Sequence, residues 1–530
     1  MELRYGLSRG MLSVAAVGIL MVCTSTLMFF HDPLEMIIRL VLNLSEGSIF
    51  YSLWSQPPYE VLLKIYIFNV TNSEEFLKGD EKMNLTQIGP YVYKEILTNN
   101  NATFDEDRGT VTYKPHREVV LDHERSVGDP KTDKLITPNI PLLGLQSYLN
   151  EASFFTNLAF STFARSIGSK PIIDLTIDQY LWGYEDKLID YAHQYLPSWI
   201  DFKRFGLLER LLSRDNNNRV TIVKDPSKYH SATDHYLTEE ERLSQYHVVE
   251  WNDSPGLLDW GYKNLNGTSG QVKKCHLVEG AYDGTIFPRD LRPNRRVTLF
   301  RKAFCRPVPL EFIKDKTTNQ GFRAFEYKLA DDMFDVIPEN ECFCYKGKCV
   351  KGIQSIAPCY YGIPIALSQP HFLNAEPRLL DTVNGLKPDV GAHGSVCSIQ
   401  PDLGVPLDGH LRIQINLDIG QTKYNSRTRV FNDLNIPLFW IEVTTTELPS
   451  LVVFLLTLIC TVVPIVLVIL KYVLVLGGLA MISGTAAYVV FKARMSIPAG
   501  ISLNSEYTAI PLISIPNEYL HKMEKRLSLK

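Results

Sequence analysis

The chain has 530 residues, of which 45% are hydrophobic and 21% are charged, and its formal net charge is −4. This composition is unlike that of a strongly basic nucleic-acid-binding protein or a low-complexity disordered chain, so no nucleic-acid partner is expected. The length is sufficient for one large hydrophobic core or two fused ones.

The first predicted element is an apolar helix at residues 11–30. Arg4 and Arg9 precede this stretch. About 20 apolar residues in a helix span the roughly 30 Å of a bilayer core. A cleaved signal peptide is the alternative, but its apolar part usually has about 7–15 residues and ends at a small-residue cleavage site. We therefore expect a short cytoplasmic tail at residues 1–10, followed by an uncleaved transmembrane helix.

The region from residue 31 to residue 450 has the pattern of a mixed α+β ectodomain. Helical spacing of apolar residues appears in Leu142–Ile167 and Ile177–Tyr195, and residues 99–108 have the polar character of a hairpin loop. Alternating, β-branched or aromatic-rich segments predict strands elsewhere. These strand segments are Tyr59–Asn69, Tyr91–Ile96, Gly109–Tyr113, Val220–Val223, Gln245–Trp251, Phe322–Leu329 and His410–Ile419.

A second apolar stretch, Leu451–Phe491, is too long for a single crossing of the membrane, and Lys471 with Tyr472 divides it. One alternative is a hairpin that crosses twice. The other is a single span at residues 472–491, which places Lys471 at an interface and not at the costly bilayer centre. Lys492 and Arg494 follow the stretch, so in the single-span alternative the positive-inside rule places both chain termini in the cytosol.

Six N-glycosylation sequons lie between the apolar ends and none lies in either tail, which supports an extracellular or lumenal location for this region. Their acceptor residues are Asn43, Asn69, Asn84, Asn101, Asn252 and Asn266.

Cysteine spacing also predicts an oxidising compartment. Two of the nine cysteines, Cys23 and Cys460, lie in the apolar stretches, and Cys397 is left over as either a buried thiol or a reactive one. The other six form a compact set that predicts three disulfides, with 15 pairings open, and no metal site is expected from their spacing. The set is Cys275, Cys305, Cys342, Cys344, Cys349 and Cys359.

No catalytic motif appears, since the chain lacks a nucleophile elbow, a P-loop, a dinucleotide fingerprint and an H-E-x-x-H sequence. We expect no enzymatic activity and no cofactor. His371 and His393 are interpreted as structural residues, with a role as bases as the alternative. A basic run is interpreted as a solvated face, with an anionic-ligand site as the alternative. Its members are Arg289, Arg292, Arg295, Arg296, Arg301 and Lys302.

The C-terminal tail, residues 492–530, contains Tyr507-Thr-Ala-Ile510, which fits the Y-x-x-Φ pattern that clathrin adaptors bind as an extended peptide. The two interpretations are a sorting signal formed by Tyr507 and Ile510, and a plain polar tail.

Several motifs resemble the class B scavenger receptors, the family of fatty-acid translocase, the high-density-lipoprotein receptor and the lysosomal integral membrane protein, and suggest an invertebrate member. The resemblance covers nearly the whole chain. Its motifs are Ile88-Gly-Pro-Tyr-Val-Tyr93, Tyr180-Leu-Trp-Gly-Tyr184, Cys342-Phe-Cys344 and Ser368-Gln-Pro-His-Phe372.

The resemblance implies an antiparallel β-barrel-like ectodomain crowned by an apical helical bundle at about residues 142–195. It also implies a single C-terminal span at 472–491, with residues 451–471 as an apolar juxtamembrane segment. The implied disulfides are Cys275–Cys342, Cys305–Cys359 and Cys344–Cys349. Arg165 and Lys170 are the basic residues nearest to the position where family members carry ligand-binding cations.

The implied function is that of a scavenger receptor that binds lipids, lipoproteins or other polyanionic ligands at its apex. It would pass a fatty acid, sterol or carotenoid through an ectodomain tunnel to the membrane, and take up ligand by endocytosis. The expected location is the plasma membrane with an endosomal or lysosomal pool, and self-association into a homo-oligomer stays open. The alternatives are a sorting receptor for a protein partner and a chemosensory co-receptor.

Overall fold

The computed structural model describes residues 9–216, 218–231, 237–262, 276–422, 425–445 and 447–495. The α-helices in these ranges are α1 Arg9–Phe30, α2 Pro33–Val41, α3 Ile49–Ser55, α4 Ser73–Lys78, α5 Ile140–Tyr148, α6 Phe154–Ser166, α7 Ile177–Trp182, α8 Lys187–Tyr195, α9 Leu207–Asp215, α10 Pro226–Tyr229, α11 Glu239–Leu243, α12 Pro377–Leu380, α13 Val390–His393, α14 Ser450–Thr457 and α15 Val463–Met495.

The β-strands in the same ranges are β1 Val61–Val70, β2 Leu85–Asp105, β3 Thr110–Leu121, β4 Lys134–Pro138, β5 Ile172–Thr176, β6 Tyr184–Glu185, β7 Arg204–Phe205, β8 Val220–Val223, β9 Val248–Trp251, β10 Val297–Arg301, β11 Arg306–Thr317, β12 Arg323–Leu329, β13 Ile353–Ser355, β14 Ile365–Ser368, β15 Val396–Gln400, β16 Val405–Asp418 and β17 Asn435–Thr445. Together with the helices, they make this a mixed α+β fold.

The chain divides into two compact units. The span unit contains the described residues up to Pro33 and those from Ile465 onwards, and the sheet unit contains Leu34–Pro464.

A large antiparallel sheet forms the core of the sheet unit, with the strand order β10-β11-β12-β15-β16-β17-β1-β2-β3-β8-β9. The central strand β1 pairs with β17 on one side and β2 on the other. Its apolar residues are buried on both faces, for example Ile65, Ile67 and Phe68. This double burial explains why the strand is an almost continuous apolar run.

No closed barrel is found among the described strands, so the expected barrel-like closure is replaced by an open, curved sheet. The end strands β9 and β10 are separated by a short segment that bonds to both. Val248 N donates to Ala281 O at 2.8 Å, and Tyr282 N donates to Thr298 O at 2.8 Å. The inserted segment occupies the hydrogen-bonding edges that direct strand pairing would need.

Strand β2 is longer than the sequence pattern predicts. It continues through the polar residues 99–105, which were expected to form a loop, and pairs with β3 as far as Asp105↔Thr110. A register shift between Asn100 and Thr103 accommodates one irregularity, and Asn101 there has a φ of 54°. Polar strand residues are tolerated because this end of the hairpin is largely exposed to solvent.

A buried ionic row crosses three neighbouring strands. Lys64 on β1 and Arg412 on β16 are both paired in register with Glu442 on β17. The Glu442 carboxylate accepts from Lys64 Nζ at 2.8 Å and from Arg412 Nε at 2.6 Å. These partners hold the pKa of Glu442 far below its usual range despite its burial, so this carboxylate is charged in the folded protein.

Three helices, α5, α6 and α8, pack around a small apolar cluster of Leu142, Ala164 and Leu188. The two predicted helical segments are each broken in the structure. Ser153 caps the start of α6 by accepting from Thr156 N, and Asp186 caps α8 by accepting from the backbone of Leu188. Such capping residues satisfy free backbone N–H groups and so begin new helices inside a continuous apolar pattern.

In the span unit, α1 packs antiparallel against α15. Gly18 and Gly478 form the closest approach: a Cβ placed on Gly478 would lie 2.6 Å from Gly18 O. Ser25 Oγ donates to Lys471 O at 2.8 Å, and Lys471 Nζ lies 3.5 Å from an Asp32 carboxylate oxygen. Small residues at the contact are typical of paired membrane helices.

Two helical segments are long and apolar enough to cross a membrane, Arg9–Phe30 and the 46-residue run Ser450–Met495. The beginning of the second run, up to Pro464, belongs to the sheet unit, and its Leu456 and Ile459 join an apolar cluster there with Ile38, Phe322 and Leu407. A π-helical turn at Leu458–Val462 follows α14. The first part of the predicted juxtamembrane segment, residues 451–471, is thus packed against other residues of the sheet unit.

Candidate functional site

The described part of the sheet unit has two cavities of more than 500 Å³: a polar one of about 540 Å³ beside Cys349 and Lys346, and an apolar one of about 510 Å³, named the main cavity, that strands of the sheet enclose. Strands from both arms of the sheet line it, including β3 on one arm and β10 on the other, so the sheet must curve around this space. Most of its wall is apolar. Representative lining residues are Val61, Leu97, Val120, Leu299, Val396 and Val443. A volume of about 300–1,000 Å³ with an apolar wall is typical of small-molecule sites.

Two smaller cavities continue the main one. The second cavity, about 40 Å³, shares five wall residues with the main cavity: Glu95, Arg301, Phe304, Leu411 and Val443. The third cavity, about 20 Å³, shares Leu211 and Ile415 with the second. The second cavity therefore adjoins the main one inside the sheet unit, and the third adjoins the second.

A group of charged residues interrupts the apolar wall where the main and second cavities meet. Glu95 accepts from Arg117 Nε at 3.0 Å, and Arg301 Nη2 lies 3.7 Å from its other oxygen. Asp283 also borders the main cavity and accepts from Tyr113 Oη at 2.5 Å. Burial and the Asp283 carboxylate raise the pKa of Tyr113 well above its ordinary value, so this hydroxyl remains a donor.

The structure describes most of the cysteines singled out in the sequence, and one of them, Cys397, lines the main cavity. Disulfides join Cys305 to Cys359 and Cys344 to Cys349. Cys342 is disulfide-bonded, and Cys275, its expected partner, lies outside the described residues. The Cys397 thiol lines the main cavity, where burial raises its pKa to about 12 and keeps it protonated. This protonation disfavours the reactive-thiol alternative.

The six sequon asparagines have different surroundings. Asn43, Asn101 and Asn252 are exposed, whereas Asn69 and Asn84 are partly buried. Asn69 Oδ1 accepts from Ile136 N at 2.8 Å within the fold. Asn266 lies outside the described residues. Asn252 Nδ2, the atom that would carry a glycan, donates to Asn218 Oδ1 at 2.9 Å, so Asn43 and Asn101 are the better placed of the exposed three.

Arg165 and Lys170 are both exposed, the first in the last turn of α6 and the second in the loop before β5. Neither has an ion-pair partner in the described parts of the chain. Helices α6 and α8 expose several of the aromatic and apolar side chains of the two predicted helical segments. These are Phe154, Phe155, Leu158, Phe163, Tyr191 and Tyr195. Tyr507 and Ile510 lie outside the described residues.

The basic run is paired with carboxylates. Arg289 pairs with Glu35, Arg292 with Glu239, Arg295 with Glu240, Arg296 with Asp332 and Lys302 with Asp259. Arg301 differs because it borders the cavities beside Glu95. No motif in the sequence marks Glu95 or Arg117. A charged residue in an otherwise β-branched or aromatic strand, as at position 95, is the one local signal that marks them.

Comparison with known proteins gives a consistent result. A family model described as the CD36 family matches residues 15–489. Scavenger receptor class B member 1 of Cricetulus griseus is 28% identical over 434 residues, covering 81% of this chain and 78% of that protein. Lysosome membrane protein 2 of Homo sapiens is 28% identical over 390 residues, covering 73% and 75%. The resemblance to class B scavenger receptors is confirmed, and the chain belongs to the CD36 family.

Proposed function

We propose that this protein is a membrane-anchored scavenger receptor that binds lipid in the main cavity and passes it toward the membrane. The apolar cavity of about 510 Å³ and its two smaller neighbours carry this proposal. Each CH₂ group moved from water into such a space gains about 0.8 kcal/mol. A conduit of this kind accelerates transfer between an external particle and a bilayer without any catalytic group.

Passage through the conduit requires side-chain movement at its narrow part. The second and third cavities are too small for a lipid chain in the present conformation, and Leu211 and Phe304 are among the residues that border them. Rotamer changes of such side chains can widen a gap without disturbing the sheet hydrogen bonds. We propose that incoming lipid opens this narrow part.

The exposed aromatic face of α6 and α8 is proposed as the ligand-docking surface. Aromatic side chains such as Phe155, which is 77% exposed, can enter the surface of a lipid-bearing particle. Arg165 and Lys170 lie near this face and would add attraction for polyanionic ligands.

The proposed topology places residues 11–30 and 472–491 in the membrane and both termini in the cytosol. The outer part of the second apolar run, residues 451–471, would form a collar between the sheet unit and the bilayer. Its packing through Leu456 and Ile459 onto the sheet unit supports this assignment. The proposed location is the plasma membrane, with an endosomal or lysosomal pool.

The proposed function can be tested by filling the cavity. In Leu411→Trp an indole would occupy the junction of the main and second cavities, and uptake of a fluorescent lipid by expressing cells should fall at least tenfold. Val390→Trp, at a residue 73% exposed on α13, is the matched control. Surface abundance of each variant is measured by antibody labelling. Equal uptake by both variants at equal abundance would refute the conduit.

A second candidate is a sorting receptor that carries a protein partner to endosomes. The similarity to lysosome membrane protein 2 favours it. Tyr507→Ala should then increase surface abundance and reduce the endosomal fraction, through loss of clathrin-adaptor binding. An unchanged distribution would remove its main support.

A further inference from the structure

A group of charged residues lies between the main and second cavities, although a conduit for apolar lipid does not require charged side chains. Glu95, Arg117 and Arg301 have side chains that are 5%, 8% and 18% exposed. Burying ions in an apolar setting carries a desolvation penalty, and well-packed hydrophobic residues would often be at least as stable. A buried polar group in such a place is better explained as a recognition element than as a source of stability.

The two oxygens of the Glu95 carboxylate have different surroundings. Oε1 accepts a hydrogen bond from Arg117 Nε at 3.0 Å. Oε2 is buried and receives no hydrogen bond from any described residue; Arg301 Nη2 lies 3.7 Å from it. This separation is beyond hydrogen-bond range. A buried acceptor without a donor is costly, and in native proteins it often indicates that a donor is supplied from outside.

The group is held in place by the backbone around it. Asn216 Oδ1 accepts from Arg117 N at 2.7 Å, and Asn216 Nδ2 donates to Arg117 O at 2.9 Å. Glu95 lies on β2 in register with Val119 of β3, so both members of the ion pair belong to one hairpin. The carboxylate is thus positioned before any ligand arrives, which lowers the entropic cost of binding.

We propose that Glu95 Oε2 accepts a hydrogen bond from the hydroxyl group of a lipid alcohol whose apolar body fills the main cavity. This inference rests on the proposed function and names the ligand class of the same site. A hydroxyl can donate to Oε2 and accept from Arg301 at the same time, because one oxygen can reach both atoms across a 3.7 Å gap. An ether can accept but cannot donate, so it would leave Oε2 unsatisfied.

A free fatty acid fits this position less well than an alcohol. Its carboxylate has no proton to donate to Oε2, so it would face the Glu95 carboxylate without a hydrogen bond, although Arg117 and Arg301 on the same wall would attract it. Loss of a hydrogen bond to a charged group corresponds to about a 10- to 100-fold change in affinity. We therefore expect the order alcohol, then ether, with the fatty acid also weaker than the alcohol.

The first experiment varies the ligand and needs no variant protein. The full-length chain in detergent is titrated with the fluorescent sterol dehydroergosterol, with its 3-methyl ether and with the fluorescent fatty acid cis-parinaric acid, and binding is followed by energy transfer from tryptophan. The alcohol should bind at least tenfold more tightly than the ether. Equal affinities, or tighter binding of the fatty acid, would overturn the hydroxyl assignment.

The second experiment varies the protein. In Glu95→Gln the alcohol-to-ether ratio should fall to about threefold or less. Glu118→Gln makes the same chemical change at an exposed position one residue from Arg117, and it should keep the wild-type ratio. A Glu95→Gln protein that retains the full ratio would overturn the assignment, and if this variant does not fold the ligand series still decides. Binding of none of the three probes would instead refute the proposed cavity function.

Discussion

Acidification from pH 7 to pH 5 should cost the sheet unit about 2 kcal/mol of folding free energy at a single residue, His371. The imidazole is buried, with Nδ1 accepting from Lys387 N at 3.0 Å and Nε2 within 2.7 Å of Gln87 Oε1. Because Lys387 donates to Nδ1, the ring proton is on Nε2. A second proton on Nδ1 would break the bond to Lys387 and place a charge in an apolar setting.

The magnitude follows from the pKa of His371. Burial first, and then the neighbouring His393, lower this pKa from 6.5 to about 4. A folded-state pKa below the unfolded one means that the stabilisation is fully present above about pH 6.5 and is lost as the pH falls toward 4. One pKa unit corresponds to about 1.4 kcal/mol, so the loss is about 2 kcal/mol at pH 5 and about 3.4 kcal/mol well below pH 4.

The titration of His371 is coupled to that of its neighbour His393. Its ring stacks on His393 with centroids 4.2 Å apart, and Phe68 contacts it edge-on. The pKa of His393 is also lowered, chiefly by burial and further by Arg412, while Asp389 acts in the opposite direction. The two rings therefore titrate as a pair, and the first proton makes the second less favourable.

The assay is denaturant unfolding of the full-length chain in detergent at pH 7, 6 and 5, followed by tryptophan fluorescence. Trp440, whose ring lies 5.7 Å from His393, is a local reporter. Between pH 7 and pH 5 the free energy of unfolding should fall by about 2 kcal/mol less in His371→Gln than in the wild type. The exposed control His123→Gln should show the same fall as the wild type. An identical pH dependence in wild type and His371→Gln would refute the reasoning.

Three further outcomes are expected. Glu442→Gln leaves two partly buried cations without their counter-charge and should cost about 3 kcal/mol in chemical unfolding; a loss below about 1 kcal/mol would contradict the ionic row. Gly478→Val should push α15 away from α1, because its Cβ would lie 2.6 Å from the backbone oxygen of Gly18. Cross-linking between cysteines introduced into the two helices should then be abolished. The control Gly484→Val, whose Cβ would have no atom within 4 Å, should leave the cross-linking unchanged. Cys305→Ser opens a disulfide with a sequence separation of 54 and should lower the free energy of unfolding by about 4 kcal/mol. Cys344→Ser opens one with a separation of 5 and should lower it by about 2 kcal/mol. A lower melting temperature for Cys344→Ser than for Cys305→Ser would refute this chain-entropy estimate.

The local hydrophobic pattern predicted those strands whose burial is visible in their own residues. The strand expected at Val220–Val223 is β8 with the same bounds, and Phe322–Leu329 differs from β12 by one residue. Alternation and β-branching report burial of a strand directly. The pattern was wrong where partners decide: residues 99–105 extend β2 because β3 pairs with them, and Ser153 and Asp186 begin new helices inside apolar runs.

The sequence by itself determined that both ends of the chain are long apolar helices, because about 20 consecutive apolar residues have few stable settings other than a bilayer. It also placed the cysteine set and the family motifs. Only the tertiary structure decided that residues 95, 117 and 301 meet at one junction of cavities, and that Lys471 lies beside Asp32. The physical reason is that periodicity reports which face of an element is buried, whereas the partner of a buried charge is set by strand order and helix pairing across hundreds of residues.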